Sequence, residues 1–166
     1  MVSRRVDGWD QKYAKIAASG LSQQELRTSR LYGIVVGGKG WIRGLLYEWI
    51  DTGLDRTLTW MVDSKTPIAT REKWATQIRE TVAKLHDLDV VWGDVKSENV
   101  LIDKDGNAVI IDLEGGFTRG WVDSDKSGKL EGDLQGLERM TNFIFNDNSA
   151  LRPSADGVHE DDMETD

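Results

Sequence analysis

Four side chains in the stretch 92–112, WGDVKSENVLIDKDGNAVIID, carry groups suited to phosphate and metal chemistry: the carboxylates of Asp94 and Asp112, the ammonium of Lys96 and the amide of Asn99. Hard oxygen donors beside one cation suit Mg²⁺ shared with phosphate oxygens. That ion commonly takes one or two protein ligands and completes its shell with water and substrate. Each of the four alone reads as a solvated loop residue; the joint spacing singles them out. Their meeting depends on what lies between them. Val100–Ile102 and Ala108–Ile111 are short apolar runs bounded by polar and glycine residues, with a turn at Asp103–Asn107, the pattern of a hairpin. Antiparallel pairing across that turn would bring Asn99 and Asp112 to the same end.

The stretch resembles the catalytic loop and metal-binding strand end of the protein kinase-like superfamily, whose pattern is D-x-K-x-x-N followed, after a two-strand hairpin, by D-F-G. Here the residues are Asp94-Val95-Lys96-Ser97-Glu98-Asn99 and then Asp112-Leu113-Glu114-Gly115. The resemblance implies an α+β, protein kinase-like fold: a mostly helical C-terminal lobe with a catalytic β-hairpin, plus a remnant N-lobe β-hairpin. It implies ATP and Mg²⁺ as cofactors. Asp94 would orient or deprotonate a substrate hydroxyl, and Lys96 would offset charge on the transferred phosphoryl group. Asn99 and Asp112 would hold Mg²⁺; Glu48, Trp49 and Ile50 of the hinge, with Leu101, would hold the nucleotide.

The remaining elements must position these groups. Asp10–Ala18 reads as a short helix stopped near Gly20, and Ser22-Gln23-Gln24-Glu25 fits a capping box. Leu31–Val36 is a strand by its β-branched and aromatic content, Gly37–Gly40 a turn, and Trp41–Ile50 the returning strand. A short helix with Leu54, Leu58 and Met61 near one face precedes Pro67. Thr70 is an N-cap candidate for a longer helix to about Asp87, with Trp74, Ile78, Val82 and Leu85 as its buried stripe. His86 ends it, a structural residue that in the family braces the catalytic loop. Asp133 is the N-cap candidate for a last helix to Phe145, with apolar residues at 134, 137, 140 and 144. By resemblance it also hydrogen-bonds the catalytic loop. The expected organisation is a truncated N-lobe remnant (1–30), an N-lobe hairpin and hinge (31–50), a C-terminal lobe (51–151) and an acidic disordered tail (152–166).

A chain of 166 residues with 39% hydrophobic and 30% charged residues suits one globular domain. There is no cysteine, hence no disulfide or thiolate metal site. No apolar run approaches a membrane span and the start lacks a signal-peptide core, so the expected location is the cytoplasm, with no membrane partner. The net charge of −8 is concentrated after Pro153, where acids stand without Lys or Arg. The body is near neutral and shows no basic stripe, which argues against nucleic acid as a partner.

Three functions fit. One is an ATP-dependent, Ser/Thr-type protein kinase-like phosphotransferase acting on a hydroxyl-bearing protein. Another is a pseudokinase or interaction module without turnover. The third is a small-molecule phosphotransferase of the aminoglycoside or choline kinase type, against which Lys96 speaks. The family's His-Arg-Asp is here Trp92-Gly93-Asp94, lacking the arginine that pairs with a phosphorylated activation loop. Residues 1–30 contain no G-x-G-x-x-G, and neither Lys15 nor Glu25 is spaced to serve as the strand lysine or helix glutamate.

Overall fold

The computed structural model describes residues 9–53 and 56–153. Among them lie four α-helices and two separate two-stranded antiparallel sheets, an α+β arrangement. The order is α1 (Trp9–Ala18), β1 (Leu31–Val36), β2 (Ile42–Tyr47), α2 (Leu58–Met61), α3 (Ile68–Asp87), β3 (Val100–Ile102), β4 (Ala108–Ile110) and α4 (Leu130–Phe145), with a 3₁₀ turn at Ser97–Asn99 before β3. Leu54, expected on α2, lies outside the described residues, as does most of the acidic C-terminal stretch.

The β3–β4 hairpin is the centre of the molecule. Its register pairs Val100 with Ile110, Leu101 with Val109 and Ile102 with Ala108. Val100, Ile102, Ala108, Val109 and Ile110 are all buried, so these short strands read as continuous apolar runs rather than alternating ones. Asp103 shapes the turn, its Oδ1 accepting the N–H groups of Asp105 at 2.9 Å and Asn107 at 2.8 Å. Both outer edges of the hairpin are covered. Thr28 bridges Ile110 on one side and Thr57 bridges Leu101 on the other. Helix α3 fastens the turn: Trp74 Nε1 donates to the Gly106 carbonyl at 3.0 Å, and Gln77 Oε1 accepts from Ala108 N at 2.9 Å.

The stripe Trp74, Ile78, Val82, Leu85 is buried as its spacing predicts. Several boundaries differ from expectation: by one residue at the starts of α1 (Trp9) and β2 (Ile42) and at the end of β4 (Ile110), and by more at three places. Helix α3 starts at Ile68 with Pro67 at its cap, and Thr70 sits in the first turn. Pro fixes the φ that a helix entry needs, and that outweighs the side-chain preference. Strand β2 ends at Tyr47, opposite Leu31, and the Glu48 N–H closes the ladder by donating to Arg30 O at 2.9 Å. Helix α4 starts at Leu130 with Lys129 at its cap, one turn before Asp133. Leu134, expected on its buried face, is 50% exposed. Met140 and Ile144 are buried as expected and Leu137 packs against the core, and the same face also carries Gly132, Asp133, Gly136 and Phe143. Gly136 lets α4 approach the 92–99 loop more closely than an apolar side chain would, and Gly132 does the same toward Lys126 and Val122.

At Gly136 that approach is tight: an added Cβ would stand 2.5 Å from Val95 Cβ, and Val95 is fully buried. Gly136→Ala is expected to lower unfolding free energy by about 1–3 kcal/mol in urea titrations, the usual cost of overpacking. Gly38→Ala, in open space between β1 and β2, should be near neutral.

Candidate functional site

The loop before β3 is held from beneath by one buried carboxylate. Asp133, 1% exposed, accepts from Trp92 N at 2.7 Å through Oδ2 and from Gly93 N at 2.9 Å through Oδ1. His86 Nε2 lies 2.8 Å from the same Oδ2. Asp133 therefore serves the loop and does not cap its helix, and His86 braces it. Trp92 is fully buried and its Nε1 donates to Ile111 O at 3.0 Å, tying the loop to the residue before Asp112. Gly93 and Gly115 are where the two site loops cross: a Cβ on Gly93 would meet Gly115 Cα at 3.2 Å, and both glycines have positive φ.

Above this base Asp94, Lys96 and Asn99 converge. Lys96 Nζ is 2.7 Å from Asp94 Oδ2, and Asn99 Nδ2 donates to Asp94 Oδ2 at 3.1 Å and to Asp94 O at 3.0 Å. The Asn99 amide nitrogen is thus committed, which leaves its side-chain oxygen as the atom that could ligate a cation. Asn99 O accepts from Ile111 N at 3.0 Å, so the two strand ends meet, with Asp112 next in the chain. Asp112 adopts φ 60°, a conformation that Asn and Asp tolerate better than most residues. Burial first, and then the neighbouring Asp94 carboxylate, push its pKa above the ordinary carboxylate value. Asp94 and Asp112 thus repel across the site, and Lys96 and Lys12 offset this in part.

A cavity of ≈ 510 Å³ opens beside Asp112. Glu48, Trp49, Ile50 and Leu101, the expected nucleotide residues, line it together with Asp112. Tyr47, Ser29, Ile111 and Glu114 complete the lining. The Glu48 carbonyl and the Ile50 N–H have no protein partner among the described residues. No group of three or more His, Cys, Asp or Glu side chains fit to hold a metal occurs among those residues. One carboxylate and one amide oxygen match instead a Mg²⁺ that arrives with phosphate oxygens.

Two contributors carry no signal in the spacing of motifs. Thr118, in the glycine-rich loop after Asp112, donates from Oγ1 to Asp94 Oδ1 at 2.9 Å and accepts from Lys96 Nζ at 3.0 Å. One hydroxyl thus contacts both Asp94 and Lys96. Lys12 of α1 donates to Leu113 O at 2.7 Å, and burial lowers its pKa. Its four-residue spacing from buried Ile16 places it toward the inner face of α1 and is the one hint the sequence holds.

No protein-family profile matches the chain. Local similarity runs to serine/threonine kinases. The chain is 38% identical over 61 residues to Serine/threonine-protein kinase PKH3 of Eremothecium gossypii, a match covering 34% of this chain and 8% of that protein. It is 26% identical over 91 residues to a non-specific serine/threonine protein kinase of Candida glabrata, covering 54% of the chain and 6% of the relative. It is 36% identical over 72 residues to Cyclin-dependent kinase F-1 of Oryza sativa subsp. japonica, covering 42% and 15%. These matches support a kinase-like relationship, and each spans a small part of its relative's length.

The strained acid pair yields a prediction with a defined sign. A carboxylate whose folded pKa is raised weakens the fold above that pKa, and the penalty fades as pH falls through it. Asp112→Asn removes the penalty while suiting φ 60°. In metal-free buffer at pH 7 its Tm should exceed that of wild type by on the order of 2 °C. The difference should shrink toward pH 4, as scanning fluorimetry across pH would show. A lower Tm at pH 7 would contradict the repulsion.

Proposed function

We propose that this chain binds ATP with Mg²⁺ in the cavity beside Asp112 and acts as a Ser/Thr protein kinase-like phosphotransferase on a hydroxyl-bearing substrate. The observation that carries the reading is the joining of the cavity to the Asp94–Lys96–Asn99 cluster at Asp112, with a hydroxyl already seated between Asp94 and Lys96. Local similarity to serine/threonine kinases supports the same class.

In this reading the Glu48 carbonyl and the Ile50 N–H meet the edge of the base, and Leu101 lies against its face. Asp112 and the Asn99 amide oxygen hold the metal. Mg²⁺, when bound, neutralises phosphate charge and fixes the terminal phosphoryl group for in-line attack. Asp94 orients the incoming hydroxyl and accepts its proton as the new oxygen–phosphorus bond forms and the bond between the γ-phosphorus and the bridging oxygen breaks, releasing ADP. Lys96, 2.7 Å from Asp94, holds that carboxylate in place and offsets charge on the phosphoryl oxygens.

A second reading, a binding module without turnover, draws on one observation. Asp94 is 5% exposed, and Thr118 takes the place of an acceptor hydroxyl, so turnover requires the 115–120 loop to move.

Two measurements test these readings. Mg²⁺–ATP should raise Tm; a ligand at about 100 times its Kd contributes about 2.7 kcal/mol. No shift at millimolar nucleotide would remove both the nucleotide site and the enzyme. Transfer of labelled γ-phosphate should be lost in Asp94→Ala and in Asp112→Asn. A Tm shift with no transfer would establish the binding module, and equal labelling in the variants would refute transfer by this site.

A further inference from the structure

Lys12 stands outside every motif, yet it occupies the point where the two site loops cross. Its Nζ donates to Leu113 O at 2.7 Å and reaches Trp92 O at 3.5 Å, one carbonyl from each loop. It lies 3.7 Å from a Cβ built on Gly93 and 3.9 Å from one built on Gly115, so the glycines that allow the loops to touch also make room for the ammonium. It is half-buried, and its hydrogen bonds go to main-chain carbonyls and not to a carboxylate. Asp133, Glu114 and Asp112 lie close enough for their charges to act on it. A lysine on an exposed helix face gains nothing from such a seat. This one joins the residue after Asp112 to the loop carrying Asp94.

We propose that Lys12 is a positioning residue. By bridging the carbonyls of Trp92 and Leu113 it sets the spacing between Asp94 and Asp112, and with it the affinity of the site for Mg²⁺. It touches neither substrate nor metal. The part of this proposal that concerns Mg²⁺ rests on the nucleotide reading above; the bridge itself does not.

The experiment compares Lys12→Met with wild type and with Lys15→Met, whose lysine on the same helix donates to Asp89 O away from the site. Amide hydrogen exchange without nucleotide should rise about tenfold in segments 92–96 and 112–116 of Lys12→Met. It should stay unchanged in β1–β2 and α4, and throughout Lys15→Met. The Mg²⁺ concentration giving half of the ATP-dependent Tm shift should rise about tenfold, the usual effect of losing a residue that holds a metal ligand in place. Any shift produced by ATP without Mg²⁺ should be preserved. Lys12→Gln, which keeps one N–H donor for the carbonyls, should fall between and serves if the Met variant does not fold. Exchange that is unchanged, or that rises uniformly over the molecule, would overturn the bridge. An unchanged Mg²⁺ midpoint with loosened loops would overturn its role in the site. A wild-type protein without any nucleotide shift would sink the nucleotide reading and the Mg²⁺ role, while the exchange comparison still decides the bridge.

Discussion

The constraint on which the site depends is the burial of the Asp133 carboxylate beneath the 92–99 loop. A carboxylate 1% exposed is sustainable only if hydrogen bonds replace its water. Here the Trp92 and Gly93 N–H groups and the His86 ring supply them. The dependence runs both ways, since those two amides are themselves interior and would otherwise lack acceptors. The backbone of the loop is thereby fixed two residues before Asp94, and Val95 can lock against Gly136.

On this base the molecule carries more negative charge than stability favours. Asp94 and Asp112 act on each other across a low-dielectric site, and Asp112 adds a left-handed backbone. Lys96 answers one carboxylate directly, through a 2.7 Å pair. Asp112 receives no such partner and is left half-exposed toward the cavity. Strain and repulsion gathered at one pocket are the pattern expected where a ligand, and not the fold, completes the electrostatics.

Much of this was legible in the sequence, for identifiable reasons. The β3–β4 hairpin announces itself because its strands are uniformly apolar and its turn begins with an Asp whose side chain caps the following amides. The α3 stripe follows from helical spacing. The bounds of β2 and α4 were less legible: β2 stops short of the Glu48–Ile50 segment that lines the cavity, and the loop claimed Asp133 from its cap. Leu134 misled for a related reason. In its first half helix α4 turns Gly132 and Gly136 inward, so close approach marks the buried side there, while Met140, Phe143 and Ile144 mark it further on. Thr118 was illegible, since its place depends on the path of a glycine-rich loop that no periodicity encodes.

The cavity has a second wall, and it hangs on the same helix. A two-stranded ribbon is marginal alone, and β1–β2 leaves Tyr32, Ile34, Val36 and Leu46 largely exposed. What steadies its inner end is Tyr13, buried next to Lys12, whose ring stands 5.6 Å from that of Tyr47 and whose hydroxyl lies 3.2 Å from Ser29 Oγ. Burial raises the Tyr13 pKa to about 12, so this hydroxyl stays protonated and available as a donor at neutral pH. Adjacent residues of α1 thus reach opposite sides of the pocket: Tyr13 the strand end that leads into Glu48–Ile50, Lys12 the loops that carry Asp94 and Asp112. Both walls are tied to neighbouring residues of one helix, and a small displacement of α1 would act on both at once.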